Sequence, residues 1–157
     1  MFGVETHFVG RQIQDIIIES LNYLTASGRV YVYGFVIMSN HFHLIWQMVG
    51  DHPRSDVQRD FLKYTSQQIL KTMRRQQSEL LKDLLVNAKD RTYQVWERNS
   101  LGVPLWTSEV FRQKLEYIHN NPVRAGLCKL PEDYKYSSAR FYEKNEKDWV
   151  FLTHYEG

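Results

Sequence analysis

Apolar residues recur in two rhythms along the first fifty positions of the chain. Ile13, Ile16, Ile17, Leu21 and Leu24 follow the i, i+3, i+4 spacing of a helix with one buried stripe, and Ser27-Gly28 supplies its stop. Residues 30–38 (VYVYGFVIM) are β-branched and aromatic without polar interruption, which predicts a strand buried on both faces. Ser39-Asn40 offers turn chemistry, and a second apolar run over 42–49 makes the pair an antiparallel hairpin. Val57, Phe61, Ile69 and Met73, with Leu62 and Leu70 beside them, then repeat at multiples of four and predict a long second helix. Its opposite side carries Arg59, Lys63, Gln67, Lys71 and Arg74, with Asp56 and Asp60 near the positive N-terminal end.

Further on, Leu80, Leu81, Leu84 and Leu85 extend that helix or begin another, 87–91 reads as a connector, and 93–96 (YQVW) as a last strand. Ser108 is a suitable N-cap for a third helix over 109–120, which Pro122 should end. After Pro131 the short, aromatic and partly basic stretch 132–142 reads as a terminal turn or helix.

Length and composition narrow this picture. A chain of 157 residues without repeats, low-complexity tracts or a linker fits one domain spanning 1–157, and a hydrophobic share of 43% excludes overall disorder. A formal charge of +2 is too mild to argue for or against a polyanionic partner. Aromatic residues make up 14% of the chain, more than a core of this size needs, so some should face a ligand. Cys128 is the single cysteine, which excludes an internal disulfide and a thiolate zinc cluster. No apolar segment is long enough to span a bilayer and the N-terminus lacks a signal-peptide pattern, so a cytoplasmic protein without membrane contact is expected.

Two segments carry candidate chemistry. His41-Phe42-His43 opens the second strand of the hairpin, where residues i and i+2 project to one face about 6.6 Å apart, so both imidazoles can lean onto one cation. Two unrelated sheet histidines would instead leave two polar rings in need of partners. A pattern of three alternating histidines, used by some nucleotide hydrolases, would need His in place of Ile45. The second segment is 117–123 (YIHNNPV). Tyr117 and Asn121 stand at i and i+4 and share a helical face, whereas His119 points nearly the other way. Alone, the segment also fits an ordinary helix end with Asn as its cap.

Together, in this order, the two segments resemble the REP-associated tyrosine transposases and the related single-strand insertion-sequence transposases of the HUH superfamily. Matching residues also occur over 15–21, 33–45, 124–127, 131–134 and 137–139. The resemblance implies an α+β fold, a ferredoxin-like antiparallel sheet backed by helices. It also implies that His41 and His43 bind a divalent ion, Mg²⁺ or Mn²⁺, with Asn121 as a third polar ligand. Tyr117 matches the nucleophile that attacks a phosphodiester of single-stranded or hairpin DNA. A cation is needed because phosphodiesters are anionic and a phenol with a pKa of about 10 is a weak nucleophile at neutral pH. Arg59, Lys63, Lys71 and Arg74 are the candidate phosphate contacts. Tyr134 and Tyr136, in another polar stretch, lack a ligand at matching spacing and read as packing or stacking residues.

Family members usually begin with a strand that ends near positions 3–8, and residues 6–9 are a poor substitute for it, so the first strand is expected to be missing. The leading function is a metal-dependent endonuclease and strand transferase working through a covalent phosphotyrosine. A catalytically decayed or domesticated single-stranded-DNA-binding protein is the alternative, and a metal phosphodiesterase with water as nucleophile a third. Relatives include dimers and monomers, and a homodimer is the expectation here.

Overall fold

Side chains alternate along the strand His41–Met48, and that alternation sets the layers of the molecule. Phe42, Leu44, Trp46 and Met48 enter one apolar cluster, whereas Ile45 enters a second cluster on the other face. By parity His41 and His43 share the face of Ile45.

The computed structural model describes residues 1–5, 11–88, 91–96 and 101–157. In chain order the elements are β1 (Phe2–Glu5), α1 (Arg11–Ala26), β2 (Val30–Ile37), β3 (His41–Met48), α2 (Arg54–Arg75), a 3-10 turn (Glu79–Leu84), β4 (Leu85–Ala88), β5 (Arg91–Tyr93), β6 (Leu101–Gly102), α3 (Ser108–His119), α4 (Asn121–Arg124), a second 3-10 turn (Pro131–Asp133) and α5 (Ala139–Glu143). Four strands pair antiparallel in the order β2-β3-β1-β6, and β4 pairs with β5 as a separate ribbon. This is the α+β, ferredoxin-like arrangement, with the β4–β5 ribbon inserted between α2 and β6.

The expectation of a missing first strand is overturned. Phe2–Glu5 form β1, which lies between β3 and β6 with Gly3 opposite His43, Glu5 opposite His41 and Phe2 opposite Gly102. Four extended residues suffice because they pair with the part of β3 that begins at the histidines. Residues 6–9 lie outside the described residues.

On one face of the sheet, Ile13, Ile17, Leu21 and Leu24 of α1 and Val57, Phe61, Ile69 and Met73 of α2 pack against Phe35, Phe42 and Leu44. Each such side chain contributes about 1.5–3 kcal/mol on burial, so this layer dominates the stability of the fold. Gly28 ends α1 at φ +68°, a left-handed conformation that costs glycine little. The other face receives α3, whose Leu115 and Ile118 meet Val36 and Ile45. The edge of β2 is covered by the C-terminal segment. There Leu152 bridges Val32, Ser137 bridges Val36, and the rings of Trp149 and Phe151 lie 5.7 and 5.4 Å from that of Phe35.

Other local expectations shift by physical cause. Residues 79–88 form a 3-10 turn and a strand instead of continuing a helix, and 93–96 leave the ribbon after Tyr93. Val95 and Trp96 are buried, the latter donating its indole N–H to Thr65 Oγ1 at 3.0 Å while its ring meets Phe42 edge-on at 5.2 Å. Side-chain anchoring to the core thus replaces ladder pairing there. Thr107, not Ser108, caps α3 by accepting from the Val110 amide. Pro122 falls in the first turn of α4, where its missing N–H leaves no helical bond unmade. Tyr31 in β2 is exposed. Among the described residues no helix is long and apolar enough to cross a membrane.

Candidate active site

The site is assembled from β3 and the end of α3. Gly34 of β2 lets α3 approach, because a Cβ at that position would stand 2.5 Å from Leu115 Cδ1. With Leu115 and Ile118 buried against the sheet, helical periodicity turns Tyr117 outward, and it is 46% exposed. The His41 and His43 rings lie 5.3 Å apart, and Tyr117 lies 6.2 Å from His43 in an edge-on arrangement. The structure therefore brings together the two histidines and the tyrosine that the sequence singles out.

The imidazoles have different surroundings. His41 Nδ1 is 2.8 Å from Asn40 Oδ1. A neutral ring that donates from Nδ1 to this amide oxygen has its lone pair on Nε2. His43 Nδ1 is buried without a hydrogen-bond partner among the described residues. Desolvation, followed by the charges of His41 and Arg124, lowers the His43 pKa to about 4, which keeps the ring neutral at neutral pH. A neutral imidazole is the form that coordinates metal.

Asn121 lies just beyond the capping residue Asn120 and is buried. Its Oδ1 accepts from Arg124 Nη2, and its Nδ2 is buried without a partner among the described residues. The two adjacent imidazoles offer nitrogen and the Asn121 amide an oxygen, the donor types that a divalent ion accepting nitrogen and oxygen ligands would take. Two imidazoles suit Mn²⁺ better than Mg²⁺, which prefers oxygen donors. Among the described residues no three His, Cys, Asp or Glu side chains cluster.

His119 points away from this group, as its helical direction requires. It is buried, with Nε2 2.7 Å from Ser138 Oγ, which also accepts from the Phe35 amide and donates to the Phe35 carbonyl. The direction of the bond between His119 and Ser138 follows the tautomer of the ring. His119 thus joins the end of α3 to β2. Tyr134 and Tyr136 direct their hydroxyls to the Ile37 carbonyl at 2.9 Å and Asp15 Oδ1 at 3.0 Å.

The four basic residues of α2 stand elsewhere. α2 packs on the Phe42 face of the sheet, opposite the imidazoles. Arg59 pairs with Asp56 and Asp60 at 3.0 and 3.2 Å, and Arg74 sits 5.3 Å from the Tyr93 ring centroid. Lys63 and Lys71 are exposed. Two cations to which the sequence reading assigns no role flank the tyrosine instead. The Arg124 guanidinium lies 4.3 Å and the Lys114 ammonium 5.7 Å from the centroid of the Tyr117 ring. Lys114 is at i−3 from Tyr117, a spacing that would have revealed it. Arg124 is seven residues on, and the expected helix end at Pro122 hides it.

The fold is similar to a solved structure described as a REP-associated tyrosine transposase bound to a REP hairpin, with a TM-score of 0.63 and 18% identity over 88% of this chain and 74% of that one. No family model matches the sequence. No curated protein matches it either.

Proposed function

We propose that this protein cleaves single-stranded DNA next to a hairpin, with Tyr117 as nucleophile and His41, His43 and Asn121 as ligands of a divalent ion, Mn²⁺ or Mg²⁺. The observation that carries the reading is the outward tyrosine of α3 set 6.2 Å from one of two adjacent, partly buried imidazoles. The similarity in fold to a transposase bound to a DNA hairpin supports it.

In the proposed reaction the Tyr117 phenol oxygen attacks phosphorus and the P–O3′ bond breaks. The bonding pair leaves with the 3′ oxygen, and the phenol proton passes through solvent to that oxygen, giving a 3′-hydroxyl and a 5′-phosphotyrosine. A bound divalent ion would supply Lewis-acid neutralisation of the phosphate. The protein's own part is to hold Tyr117 on a helix locked to the sheet and to keep His43 neutral. Rejoining is the reverse attack by a 3′-hydroxyl on the phosphotyrosine. Lys63 and Lys71 would track flanking phosphates. A homodimer is retained as the expected assembly.

Incubation with labelled hairpin DNA bearing single-stranded flanks, with Mn²⁺, followed by a denaturing gel, should reveal a covalent adduct. Tyr117→Phe should abolish it while leaving binding nearly unchanged. Hairpin binding without an adduct would favour a DNA-binding protein that does not cut. An adduct that survives Tyr117→Phe would exclude this tyrosine. Calorimetry should show Mn²⁺ affinity at least tenfold weaker in His43→Ala, as expected when a principal ligand is lost. Equal affinities would remove the histidines from the metal site.

A further inference from the structure

Arg124 is held at one end and open at the other. Its Nη2 donates to the Tyr117 carbonyl at 3.1 Å and to Asn121 Oδ1, and its guanidinium carbon lies 4.3 Å from the Tyr117 ring centroid. Nε and Nη1 have no acceptor among the described residues, and the side chain is exposed. A guanidinium carries five N–H donors in a planar fork that matches a phosphate, so anchoring through one nitrogen leaves the others aimed for a second ligand. Lys114 adds a second positive charge near the same ring, 5.7 Å from its centroid. Among the described residues neither cation meets a carboxylate.

We propose that Arg124, assisted by Lys114, is the binding site for the phosphate that Tyr117 attacks. The inference rests on the endonuclease reading and assigns its phosphate subsite to residues of this chain. Placed beside the nucleophile, the fork takes a nonbridging oxygen of the phosphodiester, orients phosphorus toward the phenol oxygen and neutralises charge that grows as the P–O3′ bond breaks. The bond to Asn121 Oδ1 occupies one of the two acceptor positions of that oxygen and leaves the other for a cation. A purely structural Arg124 would instead serve to hold Asn121 and the turn into α4. The two roles predict opposite behaviour toward metal.

Three measurements on the full chain separate them, using Arg124→Ala and the charge-conserving Arg124→Lys, with thermal unfolding to establish that both are folded. The first is the salt dependence of binding to a mixed-sequence single-stranded 30-mer in EDTA. Loss of one phosphate contact should reduce the slope of log K against log salt by about 0.7 in Arg124→Ala, and Arg124→Lys should restore it. The second is Mn²⁺ affinity without DNA. It should hold or rise in Arg124→Ala, because a like charge is removed from beside the imidazoles and the amide oxygen is released. The third is the rate of adduct formation on flanked hairpin DNA, which should fall about a hundredfold or more in Arg124→Ala, with Arg124→Lys in between. An unchanged salt slope would overturn the proposal, as would an Mn²⁺ affinity that falls together with the adduct rate. If wild type forms no adduct on any DNA, the endonuclease reading fails by itself, and the salt slopes still decide whether Arg124 meets phosphate.

Discussion

His119 is 5% exposed, and burial lowers its pKa to about 4. The folded value lies below the unfolded one, near 6.5, so as pH falls the unfolded chain takes up the proton first. Stability from the neutral ring is therefore complete above about pH 6.5 and declines as pH drops toward 4. By pH 5 the loss should reach about 2 kcal/mol. Urea unfolding of wild type and His119→Gln at pH 7.5 and pH 5 checks this. Wild type should lose more stability over that interval by roughly that amount, because the Gln side chain does not titrate. His43 shifts in the same direction but is present in both proteins, so its contribution cancels. Equal losses in the two proteins would show that the ring bonded to Ser138 does not stay neutral.

At the scale of elements, the docking of α3 on β2 turns on the absence of one methyl group. Gly34→Ala would place a carbon 2.5 Å from Leu115 Cδ1, in a layer where Ile118 and Ser138 also close in at 3.6 and 3.5 Å. Overpacking of this kind costs about 1–3 kcal/mol, and here it also displaces the helix that carries Tyr117. Denaturant unfolding should show that loss, and Leu115→Ala added to Gly34→Ala should recover part of it. A Gly34→Ala protein with wild-type stability and activity would mean that Leu115 simply changes rotamer. Gly34 could not be read from the sequence as a contact point, since nothing local marks which helix lies above it. The same logic sorts the other elements. α1, β2, β3 and the body of α2 follow local periodicity and were legible, and the alternation along β3 placed both histidines on one face. β1 was not legible, because four residues acquire strand character from their partners β3 and β6 more than from their own pattern. Trp96 resembled part of a strand because a buried indole and a strand residue have the same composition. Arg124 falls in a matching stretch, but its place beside Tyr117 stayed hidden because Pro122 reads as a stop, whereas the chain resumes helical geometry through Asn120.

For the molecule as a whole, the sheet lies between α1 and α2 on one side and α3 on the other, with the C-terminal segment along its β2 edge. Phe151, 4% exposed against Phe35, anchors that segment. Phe151→Ala should cost about 3 kcal/mol or more, seen as a lower denaturant midpoint, and a change below 1 kcal/mol would show that the edge cover is dispensable. On the outer side, Lys63→Ala with Lys71→Ala should reduce the salt slope of single-strand binding by about 1.4 if both reach phosphate, without changing the adduct rate at saturating DNA. An unchanged slope would leave this face merely solvated. The alternation along β3 also bears on laboratory evolution. His41, His43 and Gln47 lie at odd positions outside the larger apolar cluster, whereas Phe42, Leu44 and Trp46 belong to it or pack against it. A library randomised at 41, 43 and 47 should therefore yield mostly soluble variants, and one randomised at 42, 44 and 46 mostly aggregates, so new chemistry can be sought on this strand with little risk to folding.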